Sequence, residues 1–346
     1  MLRHSSDAEP GITRKRVKNA WGYFDPEGKR IAVRDEIDRL NAIGLPPAYE
    51  QAWFCADPSG HLQATGVDAR GRKQYRYHDD FRARRDAVKY DGLLEFGKAL
   101  PRLRRRVEQD LKKRKLVRDN VLAAIVRLLD THYIRIGNEQ YARENKSFGA
   151  TTLRSRHLRK RGSKLLMRFA GKHGIVHEVK ISDSNLKRVV KRCQELPGQM
   201  LFQYVGDDDE PRPIGSGDVN AYIKEASGGD FTAKHFRTWS ASVIAFEQLL
   251  AKADDARITV KTVVEPVAEA LGNTPAISRK SYVHPSLLEA VKDAPRDPLN
   301  GIDRPRARVR LSSAEVGLLE FLARGGKRAR RRKSKILEVV KPAQTA

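Results

Sequence analysis

Cysteine is nearly absent: Cys55 and Cys193 are the only two in 346 residues, which excludes a disulfide framework or a cysteine-built zinc site and fits a reducing compartment. There is no long apolar run and no amphipathic stretch with bulky apolar residues on one face, so neither a membrane span nor a surface anchor is expected. Met1 to Pro10 sets Arg3, Asp7 and Glu9 among serines and lacks the apolar centre of a secretion signal, so a cytoplasmic protein is expected. Acids are scarce beside bases, 43 Asp and Glu against 68 Lys and Arg, and the resulting formal charge of +25 is spread along the chain. Such a surplus favours a polyanion as partner; with a membrane surface set aside, nucleic acid is the partner expected. A hydrophobic content of 40% rules out wholesale disorder, and the length suffices for two or three domains.

Residues 11–90 alternate short β-prone runs with turns. Trp21-Gly22-Tyr23-Phe24 and Ile31-Ala32-Val33 read as a hairpin about Asp25-Pro26-Glu27-Gly28, Asp35 to Ile43 as a helix closed by Gly44, and 52–56 with 62–66 as a second strand pair. Gly66 and Gly71 have the separation of a phosphate-cradling loop, but Arg72-Lys73 stands where that loop needs Lys-Ser/Thr, so Asp68-Ala69-Arg70-Gly71 reads as a turn and no nucleotide site is implied. Lys73-Gln74-Tyr75-Arg76-Tyr77-His78 then reads as a strand of alternating basic and aromatic residues. It is either a solvated sheet face or a strand that touches DNA phosphates and bases.

From Asp91 the pattern turns helical. Arg102 to Lys115 is basic, while Val121 to Leu129 has core spacing and is expected to run on as helix through Tyr133-Ile134-Arg135-Ile136-Gly137-Asn138. An arginine in so apolar a setting is either a structural ion pair or a functional cation. Leu165–Ala170 and Ile175–Val179 read as strands about Gly171-Lys172-His173-Gly174, placing Lys172 at a hairpin tip, where a lysine is ordinarily just solvated. His173 and His177 are spaced for a metal on a helix, but the β pattern and the lack of a third ligand speak against zinc. Residues 207–217 read as a loop, and Val219 to Ala226 as a helix. Thr232 caps a strong helix whose first turns carry Lys234 and Arg237, three apart on a face a phosphate can approach. Val260 to Leu271 is a helix closed by Gly272, and it leads into Asn273-Thr274-Pro275-Ala276-Ile277-Ser278-Arg279-Lys280-Ser281-Tyr282. A lone tyrosine there is either core filler or a nucleophile. As a nucleophile it needs cations nearby, because a phenol with a pKa near 10 attacks poorly at neutral pH.

The class is therefore α+β: a small sheet-containing N-terminal domain over 11–90, a mainly helical domain with a β-hairpin over 91–295, and a basic C-terminal extension over 296–346 that is expected to hold a helix from Ser313 to Leu322 and to be partly disordered.

Taken in order, Arg135 in Tyr-Ile-Arg-Ile-Gly-Asn-Glu-Gln-Tyr, Lys172 in Phe-Ala-Gly-Lys-His-Gly, Arg237 in Lys-His-Phe-Arg-Thr-Trp and Tyr282 in Ile-Ser-Arg-Lys-Ser-Tyr resemble the type IB DNA topoisomerases of the poxvirus-like bacterial branch. Leu62 to Gly66 and Gly71 to Tyr75 are similar to that family's N-terminal DNA-clamp domain. The resemblance implies Tyr282 as nucleophile, Arg135 and Arg237 as clamps on the non-bridging phosphate oxygens, and Lys172 as general acid. Asn273 is implied as a further donor, in the place where eukaryotic and viral members carry histidine and bacterial members are similar in using asparagine. It also implies that Lys73, Gln74, Tyr75, Tyr77, Tyr141 and Lys234 contact double-stranded DNA, and that no metal or other cofactor is needed. A monomer at the nucleoid is expected. The alternatives are a tyrosine recombinase, which usually has histidine at the position of Lys234, and a non-catalytic basic nucleoid protein.

Overall fold

The computed structural model describes residues 2–18, 20–82, 90–162, 164–251, 258–293, 299, 302 and 305–325. The chain divides into two compact units, Met1–Asp91 and Gly92–Ala346.

The first unit is an antiparallel five-stranded sheet of order β2-β1-β3-β4-β5, with β1 Ile12–Val17, β2 Ala20–Phe24, β3 Glu50–Phe54, β4 Leu62–Val67 and β5 Lys73–Tyr77. The helix α1, Arg34–Ala42, buries Leu40 with Ile12, Tyr23, Phe54 and Ala64. The expected β pair and the Asp68 turn are present: Trp53 faces Thr65 and Thr65 faces Tyr75. Asp68 Oδ1 accepts from the amides of Arg70 and Arg72, and Gly71 takes φ +72°, so this loop is an Asx-type turn rather than a phosphate cradle. The first hairpin is corrected. β2 pairs upstream with β1, Thr13 opposite Phe24, and residues 31–33 contribute only the Ile31 amide bonded to the Tyr23 carbonyl, because Val33 already serves as the N-cap of α1.

The second unit is helical around one core. Helix α2, Leu93–Leu111, runs unbroken through Pro101, and α3, Arg118–His132, buries every residue from Asn120 to Val126. After α4, Glu139–Asn145, come β6 Leu158–Arg161, β7 Lys164–Ala170 and β8 Val176–Ile181, a three-stranded sheet in that order. β6 adds to the expected hairpin. Then follow α5 Ser184–Glu195, α6 Ser216–Ser227, α7 Ala233–Ala251, α8 Val260–Leu271, α9 Pro275–Ser281 and α10 Pro285–Asp293. The acidic stretch expected as plain loop is in part a ribbon, β9 Gln203–Val205 against β10 Pro211–Pro213.

Two further expectations differ from the structure. Helix α3 stops at His132, where Tyr133 adopts φ +56°, so Arg135 lies beyond the helix in a loop. Residues past 295 are not all appendage: a helix over 313–325, α11, buries Val316, Leu318 and Phe321 in the core of the second unit. Glu315 anchors it, bonding both Arg104 (2.7 Å) and the Trp239 indole (2.9 Å). The basic run within residues 326–346 and its expected disorder lie outside the described residues.

Candidate active site

Arg135 is positioned by a crossing of two loops. Its carbonyl accepts from the Ala150 amide at 2.8 Å and that of Ile136 from Thr151 at 2.7 Å. The crossing needs glycine, since a Cβ on Gly149 would sit 2.5 Å from the Arg135 carbonyl oxygen and 2.5 Å from the Gly137 nitrogen. Arg135 Nη2 then donates to Asn273 Oδ1 at 2.6 Å.

Arg237 is only 4% exposed on α7. Its Nη1 donates to the Tyr133 carbonyl and its Nη2 to the Leu271 carbonyl at 2.9 Å. These are the C-terminal ends of α3 and α8, where unsatisfied carbonyls carry partial negative charge and favour a cation. Among the described residues no acidic side chain is ion-paired with Arg135 or Arg237, so the ion-pair reading of Arg135 fails and the positive charge is left for a ligand. Burial and the charge of Arg135 push the Arg237 guanidinium down to about 10.

Tyr282 ends α9. Thr274 Oγ1 caps the helix by accepting from the Ile277 amide, and the Tyr282 amide closes it on the Ser278 carbonyl at 3.0 Å. The next residue, Val283, is wholly buried and pins the backbone. Ser242 on α7 accepts from the His284 amide at 3.1 Å and donates to the Thr238 carbonyl at 2.9 Å, tying the tyrosine segment to the helix turn that follows Arg237. Arg237 Cζ lies 5.1 Å from the Tyr282 ring centre. Burial would raise the phenol, but Arg237 and Arg135 outweigh it and hold its pKa below the ordinary 10. Two buried donors, Arg237 Nε and Asn273 Nδ2, have no acceptor among the described residues. Such orphans are costly unless an acceptor oxygen completes the site.

Four of the expected residues, Arg135, Arg237, Asn273 and Tyr282, thus meet around one phenol. Lys172 does not join them: it is exposed on the Lys172–Gly174 turn between β7 and β8. Lys234 is also exposed, whereas Arg237 turns inward, so the face they were expected to share is divided. Tyr141 is half-buried on α4. On β5, Lys73 pairs with Asp7, the rings of Tyr75 and Tyr77 stack at 6.2 Å, and Tyr75 is 47% exposed. Gln74 is separated from them, bonding Asp68 at 2.9 Å. The sequence reading missed Ser242, whose only trace is a serine inside a helix, and Gly149, whose role depends on a contact with a distant loop. Among the described residues no group of three or more His, Cys, Asp or Glu side chains can hold a metal, and no helix is long and apolar enough to cross a membrane.

Two guanidiniums and an amide donor around a phenol can grip a tetrahedral oxyanion beside an oxygen nucleophile, the constellation of an enzyme of phosphoryl transfer. Comparison with known proteins narrows this class. Residues 78–300 match the catalytic core of eukaryotic DNA topoisomerase I, and residues 20–68 match the N-terminal domain of bacterial DNA topoisomerase IB. The chain is 30% identical over 297 residues to DNA topoisomerase 1B of Acanthamoeba polyphaga mimivirus, covering 82% of this chain and 88% of that one. It is 25% identical over 248 residues to DNA topoisomerase 1B of vaccinia virus, covering 71% and 76%. The chain belongs to the type IB DNA topoisomerase family.

Proposed function

We propose that this protein relaxes supercoiled double-stranded DNA by cutting and resealing one strand through Tyr282. The observation that carries this reading is the pair of guanidiniums, Arg135 and Arg237, engaged by no carboxylate among the described residues, beside a phenol whose pKa they lower. Tyr282 gives up its phenolic proton to solvent and the phenolate oxygen attacks a backbone phosphorus; the Tyr282 O–P bond forms, the P–O5′ bond breaks, and the departing 5′-oxygen takes a proton from Lys172. Arg135 and Arg237 hold the non-bridging oxygens as charge builds, and Asn273 Nδ2 finds there the acceptor it lacks. The 3′-phosphotyrosyl bond stores the energy of the broken linkage, so the free strand rotates and rejoins by the reverse step without ATP. The arginines supply the positive charge that a metal would otherwise bring. Lys73, Tyr75 and Tyr77 on the edge strand of the first unit, with Lys234 and Tyr141 on the second, grip the duplex, and the protein works as a monomer at the cytoplasmic nucleoid.

The test is supercoiled plasmid with no ATP and excess EDTA. Relaxation, with a 3′-linked adduct trapped by denaturant and lost in Tyr282→Phe, is the expected result. Resolution restricted to paired sites would identify a recombinase, and retardation of DNA without cleavage a passive nucleoid protein.

A further inference from the structure

Lys172 stands on an exposed tip, and something must bring that tip to the phosphate. The hairpin is closed on itself: the Gly171 amide donates to the Ile175 carbonyl at 2.7 Å and that of Gly174 to the Gly171 carbonyl at 3.0 Å. Along β8, Val176, Glu178 and Lys180 are exposed while His177, Val179 and Ile181 turn inward, which makes His177 the last inward side chain before the tip. Its ring stacks on Phe169, its partner on β7, with centres 5.2 Å apart and planes at 20°.

The imidazole is wedged between two glycines. A Cβ on Gly171 would lie 2.6 Å from its Cδ2 and Nε2, and a Cβ on Gly272 3.1 Å from its Cε1. Gly171 immediately precedes Lys172, and Gly272 immediately precedes Asn273. Gly171 has a negative φ that any residue can adopt, so it is room for the ring and not backbone freedom that glycine supplies there. Ile175 adds a second touch, its Cγ2 3.6 Å from the Gly272 Cβ position, yet Ile175 and Val176 remain 39% and 57% exposed, so of the two side chains that reach Gly272 the imidazole is the more buried.

We propose that His177 is the positioning residue of this site, a wedge that seats the Lys172 hairpin on the α8–α9 corner and so sets the acid at a fixed offset from Asn273, Arg135 and Tyr282. Burial, then Arg135 and Arg237, lower its pKa, so the wedge is a neutral ring that adds no charge to the cationic cluster. His177 does not touch the substrate; it acts through Lys172, and the proposal therefore rests on Lys172 being the general acid. Misplacing a catalytic group by about 1 Å costs on the order of 100-fold in rate.

Single-turnover cleavage by the full chain on matched strands, one with oxygen and one with sulfur at the scissile 5′ position, separates the possibilities. Sulfur leaves without help from an acid. His177→Ala is expected to slow cleavage of the oxygen strand by ~10- to 100-fold and to leave the sulfur strand nearly untouched, and His177→Ala combined with Lys172→Ala to be no worse than Lys172→Ala alone. His177→Gln, which keeps a planar polar end between the glycines, is expected to restore most of the rate and stands in if the alanine variant does not fold. If Lys172→Ala is itself not rescued by sulfur, the acid assignment falls. If Lys172→Ala is rescued while the His177 variants stay slow on sulfur, or if the two losses multiply, the acid stands and the positioning role of His177 is overturned.

Discussion

Arg237 shows how a residue acquires a role that its type alone does not give it. A buried arginine that no carboxylate engages among the described residues is anchored by the carbonyls of two helix ends, and that leaves its charge to act on the neighbouring Tyr282. Arg237→Gln is expected to slow single-turnover cleavage by about 100- to 1,000-fold, and the loss should persist on the sulfur-leaving strand because the guanidinium acts on the non-bridging oxygens. The same change removes a cation that lowers the Tyr282 phenol, so its ionisation moves up. Wild-type cleavage should rise with pH and level off below 10, and the variant should level off at higher pH; coincident profiles would show that Arg237 does not govern the phenol. His157 is a structural counterpart. Burial, helped by Arg156 and Arg154, lowers its pKa to about 4, while its Nδ1 accepts from the Arg154 amide at 3.0 Å. The unfolded chain binds this proton near pH 6.5, so the stability it confers is complete above that pH and is lost as pH falls toward 4, on the order of 3 kcal/mol. Denaturant titrations at pH 7 and pH 4.5 should show a smaller fall for His157→Gln than for the wild type.

Among the elements, helices were the most legible, because the 3.6-residue spacing of Val121 to Leu129 or Phe236 to Leu250 is written locally. Their ends were less so. Nothing in Tyr133 announces the left-handed turn that stops α3, since that turn follows from the Arg237 contact with its carbonyl and from the loop crossing at Gly149. Gly149→Ala is expected to displace Arg135 and cut cleavage by at least ~10-fold while lowering stability by about 1–3 kcal/mol. Cleavage at the wild-type rate by a folded variant would show that the crossing does not set Arg135. Strand pairing was legible where turn residues adjoin, as at Asp68 to Gly71. It was misread at Ile31 to Val33, where a β-prone triplet is drawn instead into the start of α1.

At the scale of the molecule, a charge of +25 implies binding that weakens steeply with salt, as counterions released from DNA set the slope. If Lys73, Tyr75 and Tyr77 on the exposed edge of the first unit grip the duplex, removal of residues 2–91 should weaken DNA binding, flatten the logarithmic salt dependence and leave some cleavage, since the second unit has a core of its own. Equal affinity and equal slope for the shortened chain would remove the first unit from the interface.

The sequence by itself determined the α+β class and the preference for a polyanion, because spacing and composition are local properties, and its ordered motifs pointed, through the family resemblance they carry, to the four residues that gather at the site. Only the tertiary structure decided that Arg135 stands in a loop, that Arg237 is held by two helix ends, that α11 belongs to the core and that His177 lies between Gly171 and Gly272. Each of these rests on at least one contact between segments far apart in the chain, which exists only after packing has brought them to van der Waals distance.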